Sequence, residues 1–190
     1  MIVPLRNTVV FEAAPWFRVE AVEVPNSSAP YYRVAEAPGV ICIVLSAQGD
    51  FVMVRQDRPV VGASTLEFPA GRIDKGETPD IAVRREVFEE TGMRLAHVGL
   101  IGTSQPMPNR YDAHQSMFIG VCADEPAKPA IEGHMEIVPR ERLKSILRTE
   151  LNYFPVALGA IKMAEVVWPI DVFNDPIDAI CRHLPSINHQ

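Results

Sequence analysis

Residues 71–93 read GRIDKGETPDIAVRREVFEETGM, and this stretch constrains the chain more than any other. Thr78-Pro79-Asp80 predicts a helix start. Thr78 serves as N-cap, Pro79 suits the first turn, and Asp80 favours the positive helix end. Gly92 predicts the stop. At about 100° per residue, Glu86, Glu89 and Glu90 share one arc. Ile81, Val87 and Phe88 fall on the other side and are expected to face the core, with Val83 at the border. Ala82 lies inside the acidic arc, where its small side chain leaves room. Arg84 falls within the apolar arc, so its stem is expected along the core edge with its head in solvent.

Three carboxylates on one face repel one another. Two unit charges 4 Å apart near a protein surface interact by roughly 4 kcal/mol. Glu89 and Glu90 also sit near the helix C-terminus, where the dipole disfavours anions. Two local rules are broken together, as happens where function compensates. A solvated acidic face is one reading of such a helix; a divalent-cation site is the other. Clustered carboxylate oxygens without a nearby His or Cys favour Mg²⁺, with Mn²⁺ as the alternative, over Zn²⁺.

The full spacing is Gly-x5-Glu-x7-Arg-Glu-apolar-x-Glu-Glu-x-Gly-apolar. It resembles the Nudix box, the signature of Mg²⁺-dependent hydrolases of nucleoside diphosphates linked to another group. The resemblance implies an α/β/α Nudix sandwich with a mixed central sheet. It makes Glu86 and Glu90 the main metal ligands, Glu89 a further ligand or catalytic carboxylate, and the backbone carbonyl of Ala70 an additional ligand. Glu77 and Arg85 belong to the same catalytic set, as an ion pair holding the loop against the helix.

Flanking residues narrow the branch. Val54-Arg55-Gln56-Asp57-Arg58 and Leu66-Glu67-Phe68-Pro69-Ala70-Gly71 are similar to the ADP-ribose pyrophosphatases, and Pro108 stands fifteen residues beyond Met93. The implied reaction is hydrolysis of ADP-ribose to AMP and ribose 5-phosphate. Another nucleotide sugar, a dinucleotide or a coenzyme A derivative is the alternative substrate, and a nucleotide-binding module without turnover is the alternative function. The resemblance makes Arg55, Arg58 and Pro108 substrate contacts; in the loop beyond, Arg110 is able to meet a phosphate and Tyr111 to stack on a base, an ordinary polar loop being the other reading. Candidate general bases are Glu132, Glu136 and Glu89. After Pro108 the chain reads Asn109-Arg110-Tyr111-Asp112-Ala113-His114, where the family often has a Gly-rich acidic loop. Trp16 or Phe17 is able to stack on adenine across a dimer, although aromatics in a β segment are more often core or interface. His114 and His134 lie near these loops and are ranked as bystanders.

The rest of the chain agrees with a mixed α+β fold. Val40–Leu45 is a continuous apolar run, as in a buried strand, and Phe51–Gln56 is its hairpin partner across Gln48-Gly49-Asp50. Leu66–Phe68, His97–Thr103, Ser116–Cys122 and Glu136–Val138 are further expected strands. Helices are expected at Arg140–Leu147 and Pro155–Glu165. The resemblance further implies that residues 1–38 form an N-terminal β extension that builds a homodimer, with residues 39–190 as the Nudix domain. Net charge is −6, which argues against a nucleic-acid partner and leaves local arginines and metal to receive a phosphate. The three cysteines lack any disulfide or zinc spacing. The N-terminus does not read as a signal peptide, and no run approaches the ~18 apolar residues of a membrane span. A cytoplasmic protein with no membrane contact is therefore expected.

Overall fold

The computed structural model describes residues 6–123, 134–149 and 154–187. Strand β4 (Gly39–Leu45) is the centre of the fold. It pairs along its length with β10 (Gln115–Cys122) in parallel, and β10 pairs antiparallel with β8 (Leu95–Ser104). The other edge of β4 is divided. Val44 and Leu45 pair with β5 (Phe51–Arg58), whereas Gly39, Val40 and Ile41 pair with the short β7 (Ala70–Arg72). β5 also carries β6 (Ala63–Glu67) and β11 (His134–Val138), giving a mixed seven-stranded sheet.

Both faces of this sheet are covered, which explains the unbroken VICIVL of β4. Alternate residues Ile41, Ile43 and Leu45 meet Leu143 and Ile146 of α2 (Arg140–Thr149), Ala160 and Ile161 of α3 (Phe154–Val167), and Ile180 of α4 (Ile177–Cys181). Val40, Cys42 and Val44 meet Ala82, Val83 and Val87 of α1 (Pro79–Thr91) on the opposite face. The result is the expected α/β/α sandwich. Cys42 and Cys122 are buried thiols, and burial raises both well above their ordinary range.

Local chemistry sets the ends of α1. The Thr78 hydroxyl accepts from the Ile81 N–H at 3.4 Å, and Gly92 adopts a left-handed φ of 72° that lets its N–H reach the Phe88 carbonyl. The expected facing of α1 needs correction. Ile81 is 55% exposed, whereas Ala82 is buried. The buried stripe runs Val83–Val87–Glu90, at the i, i+4, i+7 spacing of one helix face. The acidic arc therefore borders the core seam instead of opposing it. Arg84 keeps its head in solvent, paired with Asp80 at 2.7 Å.

A second sheet of four strands joins β1 (Asn7–Ala13), β2 (Phe17–Val22), β3 (Tyr31–Glu36) and the two-residue β9 (Tyr111–Asp112). Glu20 is 2% exposed at its centre. It accepts from Arg18 at 2.5 Å, Asn7 at 2.9 Å and Arg33 at 2.9 Å, while Arg33 also pairs with Asp112 at 2.8 Å. The bonds from Arg18 and then Asn7 outweigh burial and hold the Glu20 carboxyl down to about 2. Among the described residues no helix is long and apolar enough to cross a membrane.

Candidate active site

The divided edge of β4 shapes the site. Strands β5 and β7 leave that edge at opposite ends, and the space between them is walled by α1. A cavity of about 970 Å³ opens there, in the size range of ligand sites. Ala70, Gly71, Arg85, Glu86, Glu89 and Glu90 line its acidic end, and Arg55 and Arg58 the other wall.

Glu90 is 4% exposed. It accepts from the Ala70 N–H at 3.1 Å and from the Gln56 amide. Burial, then the nearby Glu86 charge, push its carboxyl up to about 7 against these two bonds. Glu86 lies directly over Gly71, where a Cβ would overlap its carboxylate. The glycine is therefore required by close approach and not by a positive φ.

Arg85 organises the remaining acids. Its guanidinium grips Glu77 through two bonds of 3.0 and 2.9 Å, reaches the Arg72 carbonyl at 2.9 Å, and contacts Glu86 at 2.8 Å and Glu89 at 3.0 Å. These carboxylates, Glu77 first, raise the Arg85 pKa, and Arg85 in turn lowers that of Glu77. Glu77 itself is absent from the cavity lining; it ties the 73–78 loop to the helix, with the Asp74 N–H donating to it at 3.0 Å.

Among the described residues, no three His, Cys, Asp or Glu side chains converge tightly enough to hold a metal by themselves. Arg85 draws both Glu86 and Glu89 toward itself, while Glu86 lies over Gly71 and Glu90 on the Ala70 N–H. Two carboxylates and a backbone oxygen, all hard donors, still suit Mg²⁺, which keeps several waters and shares phosphate oxygens. The residues present therefore fit a divalent ion whose remaining ligands come from elsewhere.

On the opposite wall each arginine is locked to an acid. Arg55 meets Glu136 at 2.5 and 3.3 Å, and Arg58 meets Glu67 at 2.8 and 2.7 Å. Glu136 is thus no unencumbered base, since Arg55 holds its carboxyl below the usual range. Burial alone would raise the Glu67 carboxyl, but the bonds from Arg58 and Thr65 outweigh it and lower the pKa. Glu132 lies outside the described residues.

The loop after β8 departs from expectation. Pro108 and Arg110 are not among the lining residues. Arg110 instead packs on the Tyr31 ring at 3.8 Å and donates to the Tyr32 carbonyl at 3.1 Å. Tyr111 donates to Glu36, and its backbone pairs with β3. These partners lie more than seventy residues away in sequence, and they tie the loop to the second sheet. Two residues ranked low do reach the cavity. His134 lines it, and Trp16, 61% exposed, stands at its rim with the Arg72 guanidinium 4.7 Å from its ring centre. Phe17 packs with Phe11 on the second sheet instead. Gln56, Asp57, Ser64, Arg72 and Asp74 also line the cavity. For Gln56 the signal was its place two residues before Arg58 on the same strand face.

The mixed sheet between helices thus carries this acidic helix at the border of a cleft walled by arginines. The NUDIX domain family model matches residues 35–154, and the chain belongs to the Nudix family. It is 37% identical over 102 residues, 53% of this chain and 55% of the relative, to the ADP-ribose pyrophosphatase of Bacillus subtilis. It is 31% identical over 107 residues, 56% and 52% of the two chains, to the CMP-5'-(N-acetyl-N-hydroxy-3-aminopropyl)phosphonate hydrolase of Streptomyces rubellomurinus. An RNA pyrophosphohydrolase of Psychrobacter cryohalolentis is 35% identical over 77 residues, 38% of this chain and 42% of the relative. The chain spans about half the length of the curated relatives it matches.

Proposed function

We propose that the chain hydrolyses the pyrophosphate bond of ADP-ribose, or of a closely related nucleoside diphosphate sugar, to AMP and ribose 5-phosphate with Mg²⁺ or Mn²⁺. One observation carries this: an oxygen-only acidic floor, two oriented arginines and a rim indole share one cavity. The relative named ADP-ribose pyrophosphatase supports the choice of substrate.

Glu86, Glu90 and the Ala70 carbonyl would hold the divalent ion. Such an ion polarises the phosphate oxygens and lowers the pKa of attacking water. Arg55 and Arg58 face the diphosphate, where a guanidinium grips oxygens in a fixed plane. Trp16 offers its face to the adenine, from the same chain that supplies the floor. Glu89, which lines the cavity and pairs with Arg85, takes the proton of the water on release from that pair, with Glu132 as the other base. Arg85 and Glu77 keep the loop and helix in register while this happens. Water attacks one phosphorus and the bridging P–O bond breaks, so most of the barrier reduction comes from positioning and charge.

The proposal extends to a cytoplasmic homodimer built through residues 1–38. Its support is the apolar face carrying Phe11, Phe17 and Tyr32, together with the edge of β1 that faces away from β2. Steady-state hydrolysis across a panel of ADP-ribose, other nucleotide sugars, dinucleotides and 5'-triphosphorylated RNA, in Mg²⁺ and in Mn²⁺, tests the assignment. AMP release from ADP-ribose with the highest kcat/KM is the expected result. Turnover of another diphosphate with none of ADP-ribose would move the substrate elsewhere in the family, and binding without turnover would make the chain a sensor.

A further inference from the structure

Arg58 and Glu67 lie on neighbouring strands of the β5–β6 hairpin, but they are not cross-strand partners. The register pairs Arg58 with Ala63, Gln56 with Thr65 and Val54 with Glu67. All six side chains share one face of the hairpin. The Arg58 side chain therefore runs back along that face, past Thr65, to reach a carboxylate four positions along.

Burial across the pair is unequal. Glu67 is 5% exposed, whereas Arg58 is 44% exposed and lines the cavity. The carboxylate accepts from Arg58 Nε at 2.8 Å, from Arg58 Nη2 at 2.7 Å and from the Thr65 hydroxyl at 2.5 Å. A staple that merely closed a hairpin would have no reason to lie acid beneath and arginine above, with the cation against a cavity wall. The Arg55–Glu136 pair differs, since both of its side chains are about equally open to solvent (31% and 32%). A bidentate pair fixes both the position and the plane of a guanidinium. Desolvating one partner strengthens that hold, because the buried acid has no competing water.

We propose that Glu67 is a positioning residue for substrate binding: anchored by Thr65, it sets the plane in which Arg58 meets the diphosphate, and it touches no substrate atom itself. This rests on the reading above that a diphosphate occupies the cavity. Gln56, on the same face, contacts Glu90 at the acidic floor. The hairpin thus reaches both ends of the cavity from one face.

A double-mutant cycle tests it, using Glu67→Gln, Arg58→Met and the pair, with ADP-ribose hydrolysis and calorimetric ADP binding in Mg²⁺ as readouts. Each single variant is expected to raise KM and the ADP Kd by about tenfold or more, with kcat within about threefold. The double variant is expected to match Arg58→Met alone, because Glu67 acts only through that arginine. Multiplying effects, or a Glu67→Gln enzyme that binds ADP normally while Arg58→Met does not, would overturn the positioning role. An Arg58→Met enzyme with unchanged ADP binding would overturn the reading of the cavity itself. Thr65→Val gives a second cycle should Glu67→Gln fail to fold; its smaller rise in KM must vanish in the Arg58→Met background, and persistence there would refute the proposal.

Discussion

Replacing Gly71 by alanine isolates the geometry of the acidic floor. The new methyl would overlap the Glu86 carboxylate, so that group must retreat by about 1 Å or more to restore an ordinary contact. The clash is with the far end of a flexible side chain, so the backbone need not move. The alanine gains about 0.5–1 kcal/mol by restricting the unfolded chain. Drawing Glu86 away from Arg85, a pair only partly buried, loses at most about 1 kcal/mol. The two nearly cancel, and the melting temperature should shift by no more than about 2–4 °C. Activity should not be spared, because a misplacement of about 1 Å costs on the order of a hundredfold. The assay is AMP release from ADP-ribose at saturating Mg²⁺, with Mn²⁺ affinity followed in parallel by electron paramagnetic resonance. A folded Gly71→Ala enzyme with wild-type kcat and Mn²⁺ affinity would refute the role given to Glu86. A fall in melting temperature beyond about 10 °C would show instead that the methyl meets rigid structure.

Glu90→Gln should lower kcat by orders of magnitude while the metal-free protein melts no lower than wild type, since a buried charge beside Glu86 is relieved; near-normal turnover would count against the ligand role. Trp16→Ala should raise KM for adenine nucleotides about tenfold with kcat little changed, the worth of one stacked base; an unchanged KM would place the base elsewhere. Glu20 sets an acid limit for the second sheet. Its folded pKa, about 2, lies below the ordinary 4.5, so its stabilisation is present above about pH 4.5 and drains away as pH falls toward 2. Hydrogen exchange of β2 amides should steepen through that window in the wild type and flatten in Glu20→Gln, and equal pH dependence in both would sink the argument.

What could be read in the sequence was what local chemistry dictates. Thr78, Pro79 and Gly92 set the bounds of α1 because caps and left-handed stops act within a turn of their own residue. The apolar run at 40–45 announced a strand buried on both faces. The facing of α1 was less legible: counting apolar residues put Ile81 inward, but the sheet takes up a seam through Val83 and Val87 that draws Glu90 with it. The short strands β7 and β9 carry too few residues for any periodicity to register. The packing of Arg110 on Tyr31 and Tyr32 was not legible, because these partners are remote in sequence and nothing local names them. Arg58 and Glu67 were each visible, but their pairing follows from hairpin register, which only the folded sheet supplies.

The forked edge of β4 has an evolutionary corollary. The acids ride on α1, packed against β4 and the Ala70–Gly71 strand at the fork, whereas Trp16 stands at the rim on the turn between β1 and β2. Insertions or swaps in that rim turn would alter what the cavity admits and leave the acidic end in register. A lineage built on this plan can change its diet without reinventing its teeth.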